Sequence, residues 1–411
     1  MTSETDVIRP TLLAPIGNPE YLLRQARLRE QLRANGFDGA IVWGRGSTNV
    51  DGSADLLYVT GHLSAVTHIL DSAAHSARGH AGLVLSVDGL SILITDSYDA
   101  DFASIPADDA RMSIRVDVDT ARAAVEAGLQ GKRIALIGMS GLLFAHHERM
   151  LEVLGPTTML VPADDLLVAM RVLKSEAEID LLREASRIGC EWVNRMVAAA
   201  VPGATEGDVV GEGLRYLASA GGWPYDVAVG SGPHSHRYRS RQALPTWDAS
   251  YVLKEGDLFH ADVWGPTAQG YFCDLTRSTV VGAKPTASQA RALNDSVDLV
   301  EHVTTFIEPG VRFGLLQEQA SAWLAKREGG GGSGFAAMIP FVGHSMGLEC
   351  EAPFITSVED AVVAPGMVLA IECFLGGAPG EGAGFEHVLV VREDSLEILT
   401  LSAVSRPWES S

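Results

Sequence analysis

Residues 257–279 read DLFHADVWGPTAQGYFCDLTRST, and this stretch decides the fold. Two runs rich in apolar and β-branched residues, 258–263 and 271–281, flank GPTAQG, whose composition is typical of a hairpin turn. Asp262 lies near the end of the first predicted strand and Asp274 inside the second. Acids on adjacent apolar strands repel each other and are costly to bury without a cation. The pair therefore indicates either a cation site, or one turn-capping acid and one solvated acid.

Three downstream segments carry further candidate ligands. GHSMGL places His344 between glycines, GMVLAIE ends an apolar run on Glu372, and FEHVLVV begins one at Glu386. Each residue alone is more often structural or solvated, but together they give four carboxylates and one imidazole. This set suits two divalent ions, and we expect manganese, with cobalt, iron or zinc as alternatives. Four carboxylates cancel the charge of two such ions, and a bridging water would ionise near neutral pH.

The order of these ligands resembles that of a known family. Asp, Asp, His, Glu and Glu occur in the motifs DLTRS, GHSMGL, GMVLAIE and the final FE, an arrangement similar to the pita-bread metallohydrolases. These include prolidase, aminopeptidase P, methionine aminopeptidase and creatinase. The resemblance implies that Asp262 is a terminal ligand of one ion and that Asp274 and Glu386 bridge. It implies that His344 and Glu372 bind the second ion.

The resemblance also implies the architecture. We expect an α/β N-terminal domain over residues 1–165 and an α+β pita-bread (creatinase/aminopeptidase-like) catalytic domain with duplicated αβ halves over residues 166–411. Helical periodicity over 20–35, then predicted strands at 40–43, 82–86, 91–95 and 134–137, agree with the first domain. The run 162–174 is the expected link between the domains.

Two pairs of helices are predicted in the second domain. A capping box beginning at Ser175 starts a helix over 176–198, and Thr205 starts another that ends near residue 220. The second pair is expected at 288–307 and 315–327. The glycine-rich run GGGGSG at 329–334 is either a plain connection or a lid.

Composition limits the partners of the chain. It has 411 residues, 46% of them hydrophobic, and a formal net charge of −21, which opposes binding to nucleic acid and anionic membranes. The N-terminal residues lack the pattern of a secretory signal, and no apolar run approaches the roughly 20 residues of a membrane helix. Four scattered cysteines without a CxxC motif favour the reducing cytoplasm. Cys273 and Cys373, each next to a proposed ligand, are expected to be apolar packing residues.

The segment GSGPHSHRYR, residues 230–239, precedes the first ligand strand. It is similar to the family's glycine-rich loop, which leads to a histidine that contacts substrate. Either His234 or His236 fills that position as a hydrogen-bond donor to substrate. The alternative is a solvated loop that packs on the rim of the site.

Several positions depart from the pattern of the peptidase members. Those proteins carry a second histidine where this chain has Glu351, and many carry an arginine where it has Gly384. The two aspartates lie 12 residues apart, one more than is usual in the peptidases. A lyase of this fold that acts on dimethylsulfoniopropionate shares the longer spacing, but adds an acid where this chain has Trp264.

The predicted function is hydrolysis of an amide bond in a small molecule, either an Xaa-Pro dipeptide-like substrate or a modified amide. Glu372 or Glu351 is the predicted proton shuttle, unless Glu351 caps the segment before Pro353. A lyase and a non-catalytic binding protein of the same fold are the alternatives. The resemblance further implies a homodimer in which the neighbour's N-terminal domain borders the site.

Overall fold

The protein is described by a computed structural model that covers residues 16–46, 52–64, 79–327, 341–376 and 378–409. The GGGGSG loop lies outside the described residues. The chain divides into two compact units, one formed by Ala14–Arg171 and one that contains Val172–Ser411. Within the described ranges, no helix is both long and apolar enough to cross a membrane.

The N-terminal unit is built on a mixed sheet. Its elements are α1 (Asn18–Ala34), β1 (Gly39–Arg45), α2 (Ala54–Thr60), β2 (His80–Ser86), β3 (Ser91–Thr95), β4 (Asp109–Met112), α3 (Val116–Glu126), β5 (Arg133–Ile137), α4 (Phe144–Leu154), β6 (Met159–Pro162) and α5 (Asp165–Arg171). The strand order in the sheet is β4-β3-β2-β1-β5-β6. Strands β2 and β3 form the hairpin predicted from the sequence, whereas β1 pairs with β5 in parallel. The predicted α/β class of this domain is confirmed.

The boundary between the units differs from the predicted one. The expected link 162–174 contains helix α5, which packs within the N-terminal unit. Arg171 donates a hydrogen bond of 2.8 Å to Asp55, and the Tyr58 hydroxyl donates one of 3.1 Å to the Met170 carbonyl. Because these contacts hold α5 against α2, the first unit ends after Arg171 and not after residue 165.

The second unit repeats one pattern, two helices followed by strands. Its elements are α6 (Glu176–Ala199), α7 (Glu206–Ser219), β7 (Asp226–Ser231), β8 (Leu258–Ala268), β9 (Tyr271–Val280), α8 (Ala287–Thr304), α9 (Phe313–Ala325), β10 (Gly343–Met346), β11 (Cys350–Phe354), β12 (Val368–Leu375), β13 (Ala383–Val391) and β14 (Leu396–Ile398). Capping boxes begin α6 at Ser175, α7 at Thr205 and α8 at Thr286. The prediction of duplicated αβ halves is confirmed.

Each half has its own sheet and apolar core. The first sheet has the order β7-β8-β9 and the second has the order β11-β10-β12-β13-β14. Apolar residues of α6 and α7 pack on the first sheet, and those of α8 and α9 pack on the second. The β8–β9 hairpin is longer than predicted, because β8 continues to Ala268 and only Gln269 and Gly270 turn the chain. Both have a positive φ, which is the requirement of a two-residue hairpin turn.

The two sheets meet where β9 lies beside β13. The Ser278 hydroxyl donates to the Gly384 carbonyl and accepts from the Gly384 amide, both at 2.9 Å. Nearby, the fully buried Arg277 donates to the carbonyls of Thr276 and Glu386, at 2.8 and 2.7 Å. Its guanidinium also lies over the Phe385 ring, 4.4 Å from the centroid. These contacts fix the relative position of the two strands.

Replacing Arg277 tests this junction. Arg277→Met removes a charged donor and leaves buried carbonyl groups unsatisfied, so we expect a loss of about 3 kcal/mol in the free energy of unfolding. Urea denaturation of the metal-free protein measures it. The control is Arg215→Met, which removes an exposed ion pair with Glu212 and should leave the urea midpoint unchanged. Equal midpoints for both variants would contradict the structural role of Arg277.

A second contact joins α6 to β14. Glu397 accepts hydrogen bonds from Arg183 at 2.6 and 2.9 Å, and Arg392 lies 3.1 Å away. The Arg183 hydrogen bond, opposed by partial burial and aided by Arg392, lowers the pKa of Glu397 to about 2. A lowered carboxyl pKa stabilises the fold above its ordinary value of 4.5, and this contribution is lost as the pH falls towards 2.

Glu397→Gln is therefore expected to destabilise the protein at pH 7 but progressively less below pH 4.5. The difference at pH 7 should be no more than about 1 kcal/mol, because the pair is partly exposed. Thermal unfolding of both proteins as a function of pH measures the effect. A difference in unfolding free energy that stays constant down to pH 3 would contradict the assignment.

Candidate metal centre

The β8–β9 hairpin presents both aspartates on one face. Asp262 pairs with Thr276, and Trp264 pairs with Asp274. Side chains two residues apart on a strand share a face, so Asp262 and Asp274 are diagonal neighbours across the hairpin. Both are buried, with exposed fractions of 3% and 7%.

The second sheet supplies the other three predicted ligands. Glu372 of β12 lies directly opposite Glu386 of β13. His344 of β10 pairs with Ala370, two residues before Glu372. The Nε2 atom of His344 lies 3.4 Å from Glu372 Oε1 and 3.5 Å from Asp274 Oδ2. Its Nδ1 atom is 3.0 Å from the Ser345 carbonyl, and this hydrogen bond orients Nε2 towards the carboxylates.

The ligand atoms form two overlapping groups in the described part of the chain. Asp262, Asp274 and Glu386 each place an oxygen within 4.8 Å of the others. Asp274, His344 and Cys350 form the second group at the same limit. Asp274 is common to both groups, which is the geometry of a residue between two cations.

The residues present fit divalent cations. Asp262 Oδ1 and Glu386 Oε1 are buried and make no hydrogen bond to any residue that the structure describes. A buried carboxylate oxygen without a partner is strongly destabilising unless a cation neutralises it. The carboxylates, the imidazole and these unsatisfied oxygens together form the donor set of a divalent metal site.

The electrostatics of the cluster agree with this conclusion. Burial, with the charge of Glu372 adding to it, raises the pKa of Asp262 to about 7. Burial raises the pKa of Asp274 and of Glu386 well above the ordinary range, and the neighbouring carboxylates raise both further. Burial lowers the pKa of His344, but the hydrogen bond and the charge of Glu372 outweigh this effect and raise the pKa to about 9. Where no cation is bound, the raised pKa values favour protons that neutralise the buried carboxylates.

Two supporting residues were not found by sequence analysis. The Tyr238 hydroxyl donates to Asp262 Oδ2 at 2.6 Å, and the Thr276 hydroxyl donates to Glu386 Oε2 at 3.4 Å. Each orients a ligand carboxylate. Tyr238 lies in the segment quoted for its histidines, but no spacing in the sequence shows that its side chain reaches Asp262. Thr276 is two residues after Asp274, so strand alternation alone places it on the same face.

The two candidate histidines lie in different surroundings. His234 ends a short 3₁₀ turn, and its ring centroid is 6.5 Å from that of Tyr251. The backbone of His236 packs on Gly382, where an added Cβ would lie 2.7 Å from the His236 Cα. Gly382 immediately precedes β13, so the loop of His236 runs beside the strand that carries Glu386. Contact with substrate stays a prediction for both histidines.

Glu351 lies outside both groups of candidate ligands. It is 6% exposed on β11, with Oε2 3.0 Å from Lys174 Nζ and Oε1 accepting from the Leu348 amide at 3.0 Å. Lys174 also donates to the Ser345 hydroxyl at 3.1 Å. This buried ion pair gives Glu351 a structural contact, and its proposed part in proton transfer stays a prediction.

Cys273 and Cys373 lie in the apolar cores of the first and second halves. The Cys373 thiol donates to the Ser296 carbonyl at 3.2 Å, away from Glu372. Both residues pack as the sequence predicted, since strand alternation turns each of them away from its ligand neighbour.

Comparison with known proteins is consistent with this site. Residues 180–393 match metallopeptidase family M24, and residues 24–173 match the creatinase/prolidase N-terminal domain. The chain is 30% identical to the probable dipeptidase PepE of Mycobacterium tuberculosis over 286 residues, which are 68% of this chain and 71% of that protein. It is also 30% identical to an Xaa-Pro dipeptidase of Pyrococcus horikoshii over 245 residues, 58% of this chain and 65% of that one.

The fold is also that of solved structures. The crystal structure of prolidase from Pyrococcus horikoshii superposes with a TM-score of 0.74, covering 92% of this chain and 98% of that chain at 19% identity. At this identity the likeness shows the fold alone, whereas the family match extends over more than half of the sequence and includes all five predicted ligands. The chain therefore belongs to metallopeptidase family M24 and is a metal-dependent, prolidase-like hydrolase with a pita-bread catalytic domain.

Proposed function

We propose that the protein uses two divalent ions to hydrolyse an amide bond in a small, Xaa-Pro dipeptide-like molecule. The observation that carries the proposal is the position of Asp274, which belongs to both groups of candidate ligands. Asp262 would complete one position, His344 and Glu372 would complete the other, and Glu386 is assigned as a second bridging ligand. Manganese suits the oxygen-rich set, with cobalt, zinc and iron as alternatives.

The ions, when bound, supply Lewis acidity that polarises the amide carbonyl and ionises a water molecule near neutral pH. The residues of the chain supply orientation and proton transfer. Tyr238 holds Asp262 in place, and Thr276 does the same for Glu386. The side chain of Glu372 is 14% exposed, more than those of Asp274 and His344. Its Oε1 faces His344, so Oε2 is the atom that we assign to moving a proton to the leaving nitrogen.

The substrate end of the site differs from that of the peptidases that the sequence resembles. At residue 384, an added Cβ would lie 2.6 Å from the Thr276 methyl group, so the site has no room there for the arginine of many peptidases. Glu351 replaces their second histidine and is paired with Lys174. Because both donors are absent, we infer that the enzyme also accepts amides without a free proline carboxylate.

The proposed assembly is a cytoplasmic homodimer. The four cysteines are free, which agrees with a reducing compartment, and the family resemblance supports a dimer. Sedimentation equilibrium of the full chain distinguishes a dimer from a monomer.

Substitution of the shared ligand tests the proposed pair of ions. We expect two ions per chain in the unchanged protein, one after Asp262→Asn and none after Asp274→Asn, since Asp274 belongs to both groups of candidate ligands. Inductively coupled plasma mass spectrometry of desalted, manganese-loaded protein counts them. Asp394→Asn alters an exposed aspartate and is the control, with two ions expected. Two ions retained by a folded Asp274→Asn variant would overturn the assignment.

A substrate screen with manganese-loaded protein tests the reaction. Xaa-Pro dipeptides, N-acyl amino acids and arylamides are compared, and we expect cleavage of at least the first class, loss on chelation and recovery with added manganese. Products formed in ¹⁸O-labelled water should carry the label in the new carboxyl group, because hydrolysis incorporates solvent oxygen and elimination does not. Unlabelled products would favour a lyase. Metal loss without a change in any assayed reaction would favour a binding protein.

A further inference from the structure

We propose that the thiol of Cys350 is an additional ligand at the position held by His344, so that the two metal positions differ in chemistry. One position is surrounded by the oxygens of Asp262, Asp274 and Glu386. The other has a sulfur, a nitrogen and an oxygen, from Cys350, His344 and Asp274. This inference rests on the metal-dependent hydrolase proposed above and adds a ligand that the family pattern does not include.

The distances suit a shared cation. Cys350 Sγ lies 3.2 Å from Asp274 Oδ2, and that oxygen lies 3.5 Å from His344 Nε2. Ligands that bind one ion at about 2.0–2.3 Å lie about 3–4 Å from each other in tetrahedral geometry. The thiol now donates its hydrogen to Asp274, and a cation would take the place of that hydrogen.

The fold explains why this thiol faces the site. On the paired strands β10 and β11, Met346 lies opposite Cys350 and Ser345 lies opposite Glu351. Strand alternation then puts His344 and Cys350 on one face and Ser345 and Glu351 on the other. Lys174 binds both Ser345 and Glu351 on that second face. The buried ion pair therefore fixes β11 in the orientation that points Cys350 at Asp274.

The other cysteines provide a contrast within the same chain. Cys190 and Cys273 lie in the apolar core of the first half, and Cys373 lies in that of the second. Cys350 is only partly buried and belongs to neither core. The unpartnered buried oxygens of Asp262 and Glu386 show independently that the cluster next to this thiol is built for cations.

A thiolate changes which ion the second position prefers. Sulfur and imidazole donors favour zinc, cobalt and iron, whereas carboxylate oxygens alone suit manganese. We therefore expect a mixed centre, in which manganese binds the oxygen-only position and zinc or cobalt binds beside His344 and Cys350.

Cobalt substitution tests the proposal without any substrate. Co(II) bound by a thiolate gives an intense sulfur-to-metal charge-transfer band in the near ultraviolet, so titration of the metal-free full chain with Co(II) should produce this band. Cys350→Ser and Cys350→Ala should abolish it. Cys373→Ala is the matched control, since Cys373 follows a ligand in the sequence but points into the core. The charge-transfer band of this variant should remain.

X-ray absorption of the zinc-loaded protein gives a second readout. We expect a sulfur shell at about 2.3 Å that is missing in Cys350→Ala. The preference for zinc over manganese should also fall by at least about tenfold in that variant, the lower bound for residues that support a metal site. Absence of the band and of the sulfur shell in the unchanged protein, or their survival in Cys350→Ala, would overturn the proposal. Both readouts are independent of amide cleavage, so a failed substrate screen does not alter them.

Discussion

The repulsion between buried carboxylates is the constraint on which the catalytic unit depends. Asp262, Asp274 and Glu386 place oxygens within 4.8 Å of one another, in surroundings that exclude almost all water. Like charges at that distance are not stable together unless protons or cations neutralise them. Burial and mutual repulsion raise the pKa of each group and so favour protonation, whereas divalent ions would keep all of them ionised. A site of this kind therefore has to bind metal ions in order to act in catalysis.

The fold must hold these groups together against their repulsion, and it does so at the junction of β9 and β13. Ser278 and Gly384 join the two strands, and Arg277 binds the backbone of both. The absence of a side chain at Gly384 allows this close approach, since a Cβ there would collide with Thr276. Gly384 also stands at the position where the family resemblance implies an arginine in many peptidases. This backbone requirement thus brings the two strands that carry Asp274 and Glu386 together.

The buried ion pair of Lys174 and Glu351 orients two strands of the centre, β10 and β11. A buried ion pair contributes little net stability compared with apolar packing, but it fixes the orientation of the groups around it. Here it holds one face of the β10–β11 pair, and the opposite face carries His344 and Cys350. Glu351 therefore has a structural consequence for the metal site, because its pair with Lys174 holds the strand that carries Cys350.

Much of this protein was readable from local sequence. The alternation of apolar residues and the GPTAQG turn predicted the β8–β9 hairpin. The capping box at Ser175 predicted where α6 begins, and Thr205 with the acids after it predicted the start of α7, because these features depend on neighbouring residues alone. The five predicted ligands followed from acids and a histidine in apolar or glycine-rich surroundings, together with their order along the chain. Helix α5 was missed because a short helix of seven residues, supported by contacts with distant residues, resembles a linker in composition.

The tertiary structure decided which side chains reach the centre. Tyr238 contacts Asp262 across 24 residues, and Cys350 contacts Asp274 across 76, separations at which sequence spacing carries no information on distance. Whether Glu351 or Cys350 faces the ligands depends on the pairing register of β11, and a shift of one residue would exchange them. The sequence by itself determined the family, the hairpin and the identity of the five candidate ligands. Only the packing of two sheets decided their distances, the direction in which their pKa values shift and the donors that surround them.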